Sequence, residues 1–204
     1  MNYFFFVPLP VFIPNRKKYS YSMFKKLQNI FFYRKLRKST QNMVRPQIRL
    51  MPFQDAKYIG LIAGVSLLGK DIETLKNILQ LFDEQGKTYF LMALCSEKRF
   101  PSDLLGIPHI LISKKDLVYG GVPSVKVLNK LKNHNFDMLI DLNCSANKTA
   151  FFIEATATST LRIGKADVER EPFVDLMIEW RDSDNALQFL ENIIFYLSML
   201  TKGE

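Results

Sequence analysis

The chain has 204 residues, 48% apolar and 13% aromatic, which is room for one α/β domain and a short appendage and excludes both two full domains and a disordered chain. Its net charge of +8 is uneven: eleven Lys and Arg (Arg16, Lys17, Lys18, Lys25, Lys26, Arg34, Lys35, Arg37, Lys38, Arg45, Arg49) and no Asp or Glu fall in residues 1–53, while the other seventeen share residues 54–204 with all 20 Asp and Glu. A uniformly basic nucleic-acid-binding domain is thereby excluded, because the positive charge belongs to an arm and the body is slightly acidic.

The chain opens on an apolar run from Tyr3 to Ile13. The run is too short to span a bilayer, and Pro8 and Pro10 bar a regular helix. Its positive charges, Arg16 to Lys18, follow it, and no small-residue cleavage site is present, so it does not read as a signal peptide. Three readings stand: an interfacial aromatic anchor, a segment that packs on the body, or an upstream start with Met23 as the natural first residue. The third is favoured, because the sequence from Met23 already reads as a beginning.

Residues 22–39 are predicted as an amphipathic basic helix. Phe24, Leu27, Ile30 and Phe31 follow helical spacing, and Lys25, Lys26, Arg34, Lys35, Arg37 and Lys38 supply charge. Residues 40–56, with Pro46 and Pro52, read as a linker. From Lys57 strands alternate with helices. Strands are expected at 58–63, 89–94, 109–112, 137–142, 161–163 and 174–178. Helices are expected at 71–85 (Asp71 as N-cap, Gly86 as stop), 123–133, 146–157, and from a Ser183 or Asp184 cap to about Leu200. Such alternation means right-handed crossovers and a single Rossmann-like, mostly parallel, doubly wound sheet with helices on both faces, spanning residues 57–204.

Metal and redox chemistry find little here. Cys95 and Cys144 form no CxxC pair, so a reducing compartment is expected, and His109 and His134 are too few for a histidine triad. No histidine lies near Cys144 in sequence, so a small semi-buried thiol is the better reading than a nucleophile. Asp167, Glu169 and Glu171 read as a solvated acidic loop, and Trp180 as a core-edge residue.

A ligand crevice has one natural place. In a sheet of order 3-2-1-4-5, the carboxyl ends of strands one and four meet at the topological switch point. Gly64, Ser66 and Lys70 would there face Asp141, Asn143, Ser145 and Lys148. The glycine-bearing loop could hold phosphate on free N–H groups, yet it fits neither GxGxxG nor GxxxxGK[ST]. The plainer alternatives are that Asn143 or Ser145 caps the next helix and that Asp141 accepts backbone N–H bonds. A ligand site would present Asp141 and Asn143 in an open crevice.

The stretch Asn135–Asn143 (NFDMLIDLN), a polar helix, and then Leu161–Lys165 (LRIGK) resembles two families. Over residues 23–200 it is similar to a domain-of-unknown-function family of Bacteroidota, which implies a basic N-terminal helix before one Rossmann-like domain. More distantly, over about residues 57–165, it resembles the N-terminal half of lipopolysaccharide heptosyltransferases, in which a "DLVIDL" strand, a helix and "RIG" run in the same order. That likeness implies a glycosyltransferase-like fold. In those enzymes the nucleotide-sugar is held mainly by the C-terminal half, for which residues 1–204 carry no counterpart, so the chemistry does not transfer with the fold.

The expectation is a cytoplasmic, non-catalytic binding or accessory protein, peripheral at most to the inner face of a membrane, with no transmembrane segment, cofactor or metal. Its arm, residues 1–53, would dock on a polyanion (RNA or a ribonucleoprotein slightly ahead of an anionic membrane surface) through Lys25, Lys26, Arg34, Lys35, Arg37 and Lys38. The bland rival is that the arm's apolar stripe packs on the body and its charges stay in water. The rival from another class is a sugar-transferase-like enzyme or small-ligand binder using the strand-end crevice.

Overall fold

A computed structural model describes residues 16–44, 46–64, 72–95, 106–181 and 185–200. At its centre lie β1 (Tyr58–Ala63), β2 (Thr88–Leu94), β3 (His109–Ile112), β4 (Asn135–Asp141), β5 (Thr158–Lys165) and β6 (Leu176–Ile178). They form one sheet of order β3-β2-β1-β4-β5-β6, and every neighbouring pair is parallel. β1 is the hinge of the topology, with Ile59 opposite Tyr89 on one side and Met138 on the other. The strands are near-continuously apolar because both faces are covered.

One face carries α2 (Ile72–Glu84) and α5 (Ala186–Leu200). Leu75, Ile78 and Phe82 of α2 meet Phe189, Leu190, Ile193 and Leu197 of α5 over Ile59, Leu61 and Ile140. Each set follows the three-and-four spacing of an amphipathic helix. Gly86, at φ +63°, closes α2: its N–H reaches Asp83 O and that of Lys87 reaches Phe82 O, a Schellman ending that satisfies the last carbonyls. The proposed Asp71, Ser183 and Asp184 caps lie outside the described residues. At α5, Asn185 and Gln188 exchange side-chain to backbone hydrogen bonds of 2.8 and 2.9 Å, so a capping box sits at Asn185.

The other face carries α3 (Val125–Leu131) and α4 (Lys148–Thr156), with Val127, Leu131, Ala150 and Ile153 packed on Ile62, Met92 and Leu139. Several bounds differ from expectation. The helix expected over 123–133 begins at Val125, because Leu117–Val118 and Val122–Pro123 form a small antiparallel hairpin before it. β5 extends back to Thr158, through Thr158, Ser159 and Thr160, residues that suit a pleated, half-buried strand. β6 starts at Leu176, since the Asp175 carboxylate turns to accept the Arg162 N–H at 2.9 Å.

Outside α4 lies α1 (Arg16–Thr40), which packs on α4 and on the turn at Tyr119–Gly121. The expected apolar face packs only through Phe31, and the side chain of Phe24 lies outside the described residues. Leu27 and Ile30 point outward and Phe31 is half-buried, whereas Phe32 and Leu36, four residues apart, are buried with Val122, Phe151, Phe152 and Phe173. The aromatic cluster on α4 chooses the register: Phe32 meets Phe152 edge to face with centroids 6.0 Å apart. The hairpin turn completes the seat. Gly120, at φ +84°, lies so close that a Cβ there would stand 3.2 Å from Gln28 O on α1. Only glycine meets both the left-handed backbone and the close approach.

Candidate functional site

The strand-end crevice is assembled from β1, β4 and the loops that follow them. Gly64 and Asn143 meet there as the topology requires: a Cβ on Gly64 would lie 2.2 Å from Asn143 Oδ1. Ser66 and Lys70 lie outside the described residues. Asp141 ends β4 with no exposed surface, and Asn143 is also buried. The Asp141 carboxylate accepts the Asn143 backbone N–H at 2.9 Å and the Asn143 side-chain amide as well. Neither Asn143 nor Ser145 caps α4. That role falls to Asn147, whose side chain accepts from Thr149 N and Ala150 N at 2.9 and 3.3 Å. Ser145 is exposed and contributes its backbone carbonyl to the crevice. Lys148 turns away, hydrogen-bonding Asn29 on α1 and lying 5.9 Å from the Phe32 ring.

The group that fills the crevice is Arg170, from the loop read as merely acidic. It is fully buried. Its Nη1 stands 3.4 Å from Asp141 Oδ2, and its Nη2 donates to Asn143 O at 2.6 Å and Ser145 O at 3.0 Å. Phe151 lies beneath the guanidinium at 5.8 Å. Glu154 on α4 completes a buried cluster with Arg162, whose Nη2 donates to Ala157 O at 3.0 Å. Burial raises both carboxyls, Glu154 well above its ordinary value. Arg170 and the Asn143 donors pull Asp141 back, whereas the neighbouring Asp141 charge lifts Glu154 further. The arrangement is a plug that ties the loops after β4 and β5 together. It presents neither Asp141 nor Asn143 to a ligand.

The signals for Arg170 and Glu154 were in the sequence but faint. Arg170 is a lone cation between Glu169 and Glu171, and Glu154 the one carboxylate in an otherwise apolar and neutral turn. A solitary charge opposed to its surroundings is what a buried pair looks like in one dimension.

The remaining candidates fall elsewhere. Cys144 is exposed beside the crevice and Cys95 is buried. His134 sits at the opposite end of β4, hydrogen-bonded to the Tyr58 hydroxyl, and burial lowers its pKa. His109 Nδ1 lies 2.7 Å from Ile107 O. Trp180 stacks on Phe189 at 4.4 Å, half-buried at the core edge. No group of three or more His, Cys, Asp or Glu that could hold a metal occurs among the described residues. None of the described helices is long and apolar enough to cross a membrane.

The second candidate surface is the outward side of α1. Lys25, Lys26, Arg34, Lys35, Arg37 and Lys38 are all exposed, and the helix contains no acidic residue. Lys35 lies 5.6 Å from the Phe31 ring. A crevice of about 600 Å³ opens where this helix leaves the body, between Tyr33, Arg37 and Val44 on one side and Ala155, Arg162 and Phe173 on the other.

Comparison with known proteins gives a family. A family of unknown function, DUF6913, matches residues 28–200. No curated protein matches the sequence. Among solved structures, E. coli heptosyltransferase WaaC with ADP is similar at a TM-score of 0.47 and 12% identity, over 70% of this chain and 46% of that one. The chain thus spans less than half the length of that enzyme. A likeness so weak adds nothing to the parallel-sheet topology already described.

Proposed function

The chain belongs to the DUF6913 family, and we propose that it is a non-catalytic binding or accessory protein that docks on a polyanion through the outward side of α1. The observation that supports this reading is how α1 divides its faces. Phe32 and Leu36 seat the helix on the body, which leaves six Lys and Arg between residues 25 and 38 exposed on a formed helix with no acid to neutralise them. Packing and presentation are therefore not rivals: Lys26, Arg34, Arg37 and Lys38 project away from the packing face, while Lys25 is exposed two turns before Phe32 on its own side. A pre-formed cationic surface gains affinity because it need not be ordered on binding. The arm, residues 1–53, is the functional module of this proposal and the sheet is its platform.

A small ligand at the strand ends is the less supported alternative. It would require Arg170 to leave Asp141, Asn143 O and Ser145 O, stranding a buried carboxylate.

Deleting the arm is a poor test, because the deletion would expose Phe151, Phe152 and Phe173. The cleaner comparison sets the full chain against a Lys26→Gln, Arg34→Gln, Arg37→Gln, Lys38→Gln variant. Binding to heparin is followed as salt is raised. The intact chain should bind with affinity that falls steeply with salt, and the variant should bind at least about tenfold more weakly with a shallower slope. Equal binding by the two chains contradicts the proposal.

A further inference from the structure

We infer that the polyanion met by α1 is an anionic lipid bilayer, an inference that rests on the reading above and narrows it. The exposed side of the helix is not only cationic. Leu27 and Ile30 are 54% and 64% exposed, and Tyr33 is 57% exposed, at successive steps of three. At about 100° per residue, Leu27 lies opposite the buried Leu36, and Ile30 lies about 60° from Leu27. Lys26, Arg34 and Arg37 project from that same outward side. Beyond the helix the chain exposes more apolar surface, with Val44, Ile48 and Leu50 beside Arg49.

Two chemistries could meet such a surface, and the orientation of the aromatics separates them. A polynucleotide is gripped by cations together with rings on which bases stack. Here Phe32 is buried and Phe31 is half-buried, edge-on to Tyr119 at 5.3 Å, so both rings are engaged with the body. Tyr33, the one outward ring among the described residues of the helix, stands edge-on to the buried Phe32 at 5.3 Å, and the other outward apolar side chains are aliphatic. Leu27 and Ile30 gain nothing from phosphate or ribose, whereas at a bilayer they enter the acyl boundary. Tyr33 suits the headgroup level, and the Lys and Arg side chains reach lipid phosphates while their stems lie along the apolar layer. The helix is then held in the interface plane by its outward side while its inward side stays on the body.

The test uses the full chain, vesicles of phosphatidylcholine with or without phosphatidylglycerol, and polyuridylate. A Leu27→Ser, Ile30→Ser variant removes aliphatic side chains that touch little of the body, and circular dichroism checks that it folds. The intact chain should co-sediment with the anionic vesicles and not with the neutral ones. The Ser variant should lose at least about tenfold in vesicle binding. Its binding to polyuridylate, at whatever level the intact chain shows, should be unchanged. Vesicle binding that survives the Ser substitutions overturns the inference, because the anchor is then elsewhere, residues 3–13 included. Binding to polyuridylate but not to anionic vesicles also overturns it, and leaves the polyanion reading standing. Binding to neither, nor to heparin, overturns both.

Discussion

Replacing Arg170 by Met asks whether the strand-end crevice is a plug or a vacant site. The two buried charges stand 3.4 Å apart, which at an effective dielectric of about 20 is an attraction of ~5 kcal/mol. The guanidinium also donates to two backbone carbonyls, and these bonds disappear with it. Against that, an arginine no longer has to be desolvated. The net loss from leaving Asp141 buried without its partner is about 3–5 kcal/mol of unfolding free energy. Asp141→Asn alone should also destabilise, because it leaves Arg170 as the uncompensated charge. The Asp141→Asn, Arg170→Met double variant should recover much of the loss, since the amide oxygen that replaces the carboxylate can still accept the Asn143 N–H. Urea unfolding of the four proteins at neutral pH gives the coupling directly. The reasoning fails if Arg170→Met costs less than about 0.5 kcal/mol, the range of an ordinary surface change, or if the two single effects simply add.

Three further outcomes follow from the same geometry. Burial raises the Glu154 carboxyl above its unfolded value, so stability should fall as pH rises from the ordinary glutamate value of 4.5 toward the raised folded one, and Glu154→Gln should flatten that fall in urea titrations at pH 5 and pH 8. Gly120→Val imposes a β-branched side chain on a left-handed backbone lying against α1, and should speed amide exchange in the second half of α1 before it unfolds the sheet. Phe32→Ala empties a buried aromatic position between α1 and α4, and should cost about 3–5 kcal/mol if the helix unfolds with the body, or loosen α1 alone if it does not.

The sheet was legible because its signals are redundant. Apolar runs such as Tyr58–Ala63 and Met138–Leu142 leave no other reading once helices separate them, and the crossover rule supplies the order. The basic helix was legible as a helix but not in its facing. Leu27, Ile30 and Phe31 and the pair Phe32, Leu36 are both sound apolar stripes, and the choice is made by Phe151, Phe152 and Phe173, more than a hundred residues away. Separation along the chain also hid the plug. Asp141 was legible as a polar strand end, but Arg170 reaches it from 29 positions downstream, flanked in sequence by Glu169 and Glu171. The hairpin at 117–123 was marked only by its glycine pair, which has no meaning until α1 rests on it.

The central claim is that the outward side of a docked α1, and not the strand-end crevice, meets the partner. Amide chemical-shift mapping of the full chain with a heparin oligosaccharide tests it in one titration. The account predicts shifts along Lys25, Lys26, Ile30, Arg34, Arg37 and Lys38, with Phe32 and Leu36 still protected from exchange. Shifts concentrated at Gly64, Asp141, Asn143 and Ser145, with α1 unmoved, would contradict it.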